Sequence, residues 1–145
     1  MAKGFTAQLN DILEDFFEVV RDGYEGAEKD VAEECVRQLK AVQWKTKTGK
    51  NYSRTWTLKK EKAWGGYIGG YVVHNSKNYQ LTHLLENGHA VVNAKGDTGK
   101  RAGAHKHIEP VYLWAQGELE REIRQRIERI TLDRSSSSTR GQSTT

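Results

Sequence analysis

The sequence predicts an α+β domain in which two long helices bracket a small antiparallel sheet. Three observations predict it: a helical stripe over residues 9–42, two strand-like runs within 54–74, and a second helical seam over 111–130. The elements do not alternate strand with helix, which places the chain in the segregated α+β class. At 145 residues and 36% hydrophobic, with a mean hydropathy of −0.80, it suffices for one domain with a modest core. That domain is expected over 1–132. The remainder, 133–145, is a Ser/Thr-rich stretch expected to be disordered.

In the first helix, Leu9, Leu13, Phe16, Phe17, Val20, Tyr24, Ala27, Val31, Cys35, Leu39 and Val42 recur every three or four residues. Thr6 or Asn10 is placed to cap it, and acidic residues in its early turns complement the helix dipole. Gly23 and Gly26 each cost roughly 1 kcal/mol against alanine, yet the stripe keeps phase across them. One helix, bent there, is expected. At 1.5 Å per residue it is about 50 Å long, more than such a domain needs, so part of it should pack on something else.

Lys45–Asn51 (KTKTGKN) reads as a basic turn. Arg54–Lys59 alternates polar and apolar residues, and Tyr67–His74 is rich in aromatic and β-branched residues, so both read as strands. Gly65-Gly66 marks a turn between them, and Gly69-Gly70 a bulge or a close backbone approach. Tyr79–Asn87 fits a short central helix closed by Gly88 as a left-handed cap, its apolar residues, Leu84 among them, packed on the sheet. Residues 93–106 read as a mobile glycine- and lysine-rich loop. Pro110 then opens a C-terminal amphipathic helix with a seam of Val111, Ala115, Leu119, Ile123, Ile127 and Ile130. Glu120–Arg124 and Glu122–Arg126 pairs lie on its other faces.

Charge is distributed unevenly. Residues 1–44 hold 5 basic and 10 acidic side chains, net −5; residues 45–107 hold 12 and 3, net +9; residues 108–145 are neutral. An acidic first third and a basic middle suit either self-association or contact with a polyanion. No apolar run approaches the roughly 20 residues of a membrane span. The opening MAKGFTAQLNDILED shows no signal-peptide core, so secretion by that route is not expected. The single cysteine, Cys35, excludes an internal disulfide and a cysteine-based zinc cage.

Catalytic patterns are missing from the sequence. His74, His83, His89, His105 and His107 lack a metal-ligand spacing: His83 and His89, six apart, cannot share a helix face. Hydrogen-bonded loop histidines are expected instead, and no metal or cofactor. Cys35 falls on the apolar stripe and reads as a buried structural thiol. No serine sits in a glycine-flanked elbow, and Gly96-Asp-Thr-Gly-Lys has the wrong spacing for a P-loop. An enzyme is not expected.

The basic segment is the stronger signal. Lys45, Lys47, Lys50, Arg54, Lys59, Lys60 and Lys62 interleave with Tyr52, Trp56 and Trp64, a pattern that can grip phosphates and stack bases. The alternative is a hairpin whose lysines face solvent while its aromatics pack inward, which the alternation in TWTLKK favours.

Four segments together carry a resemblance. They are Thr48-Gly49-Lys50 with Tyr52, Ser53 and Trp56; Tyr79–Ala90 (YQLTHLLENGHA), the most specific; the glycine-rich basic loop; and His107-Ile-Glu-Pro. Over about residues 10–130 the chain resembles the small head–tail joining proteins of long-tailed double-stranded DNA phages, variously called neck, tail-completion or minor capsid proteins. It departs from the family pattern at Gln43-Trp44-Lys45-Thr46, where a proline is expected before the Thr-Gly turn.

The resemblance implies an α+β virion protein, made in the host cytoplasm and assembled as a ring around the head–tail axis. Its implied neighbours are head stopper or adaptor rings and the tail terminator, with DNA passing through the channel and no membrane involved. Candidate assembly residues are Lys95, Lys100 and Arg101 in the basic loop, Phe16 and Tyr24 on the long helix, and Glu86, His89 and His107. Glu86 and His89 are expected either to cap or bridge to the basic loop, or to lie on the surface. The alternative function is non-specific nucleic-acid binding through residues 45–64.

Overall fold

The computed structural model describes residues 4–65 and 69–140, with side chains through 136. The fold is α+β. Helix α1 (Phe5–Ala41) is continuous across Gly23 and Gly26. It starts after Gly4 with no side-chain cap, so Thr6 and Asn10 lie inside it rather than at its cap. The last helix, α4 (Ile108–Arg140), runs antiparallel to α1. A Cβ on Gly23 would lie 3.5 Å from Ile130, and one on Gly26 2.5 Å from the Arg126 guanidinium. The two glycines therefore mark where α4 packs closely, and Arg126 bonds Asp30 at 2.5 Å across the seam.

Residues 47–54 correct one expectation. Instead of a basic turn they form helix α2 (Lys47–Arg54), capped by Thr46 Oγ1, which accepts the Gly49 N–H at 3.0 Å. Its amphipathic arrangement overrides the turn-forming Thr-Gly: Gly49, Tyr52 and Ser53 are buried while the lysines face out. Ser53 donates its hydroxyl to the Lys40 carbonyl at 2.9 Å, which satisfies one of the orphan acceptors at the end of α1.

Strands β1 (Trp56–Glu61) and β2 (Gly70–Asn75) pair antiparallel from Trp56↔Asn75 to Glu61↔Gly70. Both begin later than expected; Gly66 and Tyr67 lie outside the described residues. Before β2, Gly69 has a φ of 84°, and a Cβ there would meet the Glu61 carbonyl at 2.7 Å, the close backbone approach the sequence suggested. Helix α3 (Leu81–Asn87) follows. Leu81 and Leu85, four apart, pack against the core. Leu84 falls off that face and is 39% exposed, contrary to its expected burial.

The segment expected to be a mobile loop is a second hairpin. Strands β3 (His89–Asn93) and β4 (Gly96–Ala102) pair antiparallel, with an irregularity between Ala90 and Val92. Asn93 Oδ1 accepts the Lys95 N–H at 2.8 Å and closes the turn. Backbone pairing needs no buried side chain, so a strand can form although Gly96–Arg101 are all exposed.

The core gathers at one end of the α1/α4 pair, where Val31, Cys35 and Leu39 meet Tyr52, Trp56 and Val111. Beyond it the two helices run on side by side, and α4 continues to Arg140 rather than dissolving after Leu132. Serine hydroxyls turn back onto the helix there: Ser135 and Ser136 both donate to the Leu132 carbonyl. Residues 141–145 lie outside the described residues. Urea unfolding should show Leu39→Ala losing about 3 kcal/mol. Leu84→Ala should lose less than about 0.5 kcal/mol.

Candidate functional site

The most organised polar structure in the chain is buried, at the start of α4. Glu86, on α3, accepts three backbone N–H groups: His107 and Ile108 on Oε2 at 2.9 and 3.0 Å, and Glu109 on Oε1 at 3.0 Å. These are orphan donors of a helix N-terminus, and a carboxylate there also complements the positive end of the dipole. Burial alone raises the Glu86 carboxyl, but the three N–H groups and nearby His107 outweigh it and hold it below its ordinary value of 4.5.

His107 completes the centre and is 3% exposed. Its Nδ1 lies 2.7 Å from the His105 carbonyl and 2.9 Å from Glu86 Oε2, and its Nε2 lies 2.8 Å from the Tyr52 hydroxyl. A proton on Nδ1 serves either acceptor and leaves Nε2 to receive the Tyr52 O–H. Burial raises the Tyr52 phenol, as does the Glu86 charge, against a hydrogen bond with Thr82. Around this core Trp44 stands edge-on to Tyr52, His105 and His107, with ring centroids 5.7, 4.2 and 5.2 Å away. Trp44 also lies against Gly49, where a Cβ would come within 2.8 Å of it.

Asn75 is a second buried bracket. It donates to the Tyr52 carbonyl at 2.8 Å and accepts the Asn78 N–H at 2.8 Å, with Thr55 Oγ1 2.7 Å from its Oδ1. Sequence reasoning missed Asn75, Ser53, Trp44 and the Tyr52–His107 bond. A single asparagine at a strand end carries no motif, and Tyr52 and His107 are 55 residues apart.

After Asn87, Gly88 returns the chain with a φ of 73° and a ψ of 170°, an extended mirror-image conformation rather than the left-handed helical cap expected. A Cβ there would lie 2.5 Å from the Ala102 carbonyl, so the position admits only glycine. The arrangement ties separate segments of the one chain together. Among the described residues no group of three or more His, Cys, Asp and Glu side chains is placed to hold a metal. Cys35 is a buried thiol whose pKa burial raises.

The candidate residues therefore divide. Glu86 and His107 are interior fasteners, not an accessible assembly surface. His89 begins β3 and is half-buried. Lys95, Lys100 and Arg101 stand exposed on the second hairpin. Phe16 lies under Arg134, whose guanidinium is 5.4 Å from its ring centre. Tyr24 faces a cleft of about 400 Å³ between α1 and the first hairpin; a hydrogen bond from its phenol to Glu28, with burial and the Glu28 charge, raises its pKa.

The basic–aromatic segment also separates. Lys47, Lys50 and Arg54, at i, i+3 and i+7, share the outer face of α2, and Lys45 and Lys59 are exposed. Lys60 is paired with Glu25 of α1 and so turns toward its own fold. Tyr52 and Trp56 are buried and offer no ring for stacking; Trp64 is 74% exposed. Tyr52 and Trp56 packed inward and Lys59 facing out match the arrangement that the TWTLKK alternation favoured, while Trp64 and Lys60 depart from it. The chain matches no family model, no curated protein and no solved structure. No described helix is long and apolar enough to cross a membrane.

Glu86 stabilises the fold while ionised. Because its folded pKa is lowered, its contribution is full above the ordinary 4.5 and fades as pH falls through the folded value. Glu86→Ala should cost about 2–3 kcal/mol at neutral pH. Urea unfolding of wild type and variant across the acid range should show the gap closing as pH falls below 4.5.

Proposed function

We propose that the protein is a structural component of the head–tail junction of a long-tailed phage, assembling as a ring in the neck or tail-completion layer. One observation carries this reading. Three of the four segments that bear the family resemblance meet at one buried centre: Tyr52 lies on α2 with Thr48-Gly49-Lys50, Glu86 lies in YQLTHLLENGHA, and His107 opens His107-Ile-Glu-Pro. The resembling residues thus lie in the framework of the domain, and the buried polar cluster ties α2, α3 and the start of α4 together. A protein that acts by holding shape and presenting surfaces fits that design.

Two surfaces support an assembly role. The second hairpin presents Lys95, Lys100 and Arg101 away from the core, and the α1/α4 pair projects apolar side chains such as Phe5 and Phe17. Basic hairpin and acidic helix provide the charge opposition that fixes orientation between neighbouring subunits. Heterologous contacts of this kind close into rings when the rotation between subunits permits.

In a phage encoding this chain, deletion should leave filled heads and complete tails lying apart in electron micrographs of the lysate, rejoined when the protein is supplied. Replacing Lys95, Lys100 and Arg101 with glutamate should leave the melting temperature unchanged yet block joining. Normal infectious particles from either phage would contradict the proposal. A nucleic-acid role is favoured by one observation, the shared outer face of Lys47, Lys50 and Arg54. It predicts a salt-dependent DNA shift lost when those three become glutamate.

A further inference from the structure

Among the described residues, the N-terminal half of α1 carries an exposed apolar band. Phe5, Leu9, Ile12 and Phe16 recur at helical spacing with Phe17 beside them, and all five are 36–80% exposed. Where α4 passes this band it offers Arg134, then Ser135 and Ser136, whose hydroxyls bond their own helix. Asp11, Glu14, Asp15 and Glu18 are exposed on the same stretch, and residues 5–20 hold no basic side chain, a net charge of −4.

The other end of the fold has the complementary shape and charge. An apolar groove of about 570 Å³ opens between α1, β2, α3 and α4. Buried Leu39, Trp56 and Val111 line it, with exposed Tyr79 and Tyr112 at its sides. The Trp56 indole N–H has no hydrogen-bond acceptor among the described residues. Among the described residues no carboxylate lines the groove, whereas His74 and His83 do. Arg54 and Lys77 flank its Trp56–Asn75 end, each adjoining the Thr55–Ser76 pair bonded at 2.9 Å.

The geometry points to a head-to-tail contact between two copies of this chain, in which the apolar band of one α1 lies in the groove of the next. A helix that inserts residues at i, i+4, i+7 and i+11 into an apolar groove is a recurrent recognition mode. Acidic residues bordering the band then meet the basic end of the groove. The contact cannot form within one molecule, because α1 is a single helix and the two surfaces lie about 35 Å apart along it. Pairing two bands face to face would bring together two segments of net charge −4, so the contact is heterologous and propagates. It rests on the neck reading for closure into a ring; the contact itself is read from the two surfaces.

The test is complementation in sedimentation velocity, with the full chain and two variants at exposed positions. One variant spoils the band (Leu9→Glu with Ile12→Glu), the other the groove (His83→Glu with Tyr112→Glu). Wild type should form species larger than a dimer as concentration rises, and each variant should stay monomeric. Their equal mixture should form a dimer and nothing larger, because one intact band and one intact groove remain. If a variant melts below wild type, Leu9→Ser and Tyr112→Ser replace them in the same mixture.

A wild type that stays monomeric, assembly by a variant alone, or a mixture without dimer would overturn the contact. Dimer in the mixture, alongside normal head–tail joining in the deletion phage, sinks the neck reading and leaves the contact standing. Loss of joining with no dimer does the reverse.

Discussion

Three backbone N–H groups at the start of α4 converge on the Glu86 carboxylate, and the rest of the molecule is arranged around that convergence. Removing a carboxylate from water is costly unless every lone pair it loses is replaced. Here the replacements come from a segment 21–23 residues further on, so the position of α3 fixes where α4 begins. The direction of α4 in turn fixes the antiparallel seam with α1 and the Arg126–Asp30 pair along it. His107 extends the constraint to Tyr52, and the Tyr52 carbonyl extends it through Asn75 to the end of β2.

This organisation suits a small core. Among the described residues six side chains form the buried hydrophobic cluster, and much of α1 lies beyond it. A core of that size leaves little apolar surface to specify the relative placement of the four helices and two hairpins described. Buried, fully partnered polar brackets supply that specification, because a misplaced segment would leave a carboxylate or an amide without its partners. The long helices are then free to carry surfaces that are poorly covered within one copy. The apolar band on α1 and the groove beside Trp56 are such surfaces.

The parts legible in the sequence are those whose signal repeats. The stripe from Leu9 to Val42 and the seam from Val111 to Ile130 repeat a 3.6-residue period often enough to declare helices, and both are present. The first hairpin was legible from its alternation. Helix α2 was not, since eight residues containing Thr-Gly and Asn resemble a turn until Tyr52 and Ser53 are seen to need burial on one side. The second hairpin was hidden for the opposite reason: exposed lysines and glycines pair through backbone alone, and backbone pairing leaves no hydrophobic pattern. At the site, Glu86 and His107 were singled out as assembly residues, with Glu86 expected either to cap or bridge to the basic loop or to lie on the surface; that it caps α4 was not read. Their partners lie 21 to 55 residues away, a relation that local periodicity does not encode.

The most direct test of the central claim is a pH titration of the His107, Ile108 and Glu109 amides by ¹H–¹⁵N NMR. All three signals should move together through a single midpoint below 4.5, the ordinary value of the carboxyl they bind, and the transition should vanish in Glu86→Gln. Amides that fail to titrate, that titrate independently, or that share a midpoint at or above 4.5 would contradict an ionised Glu86 holding the start of α4.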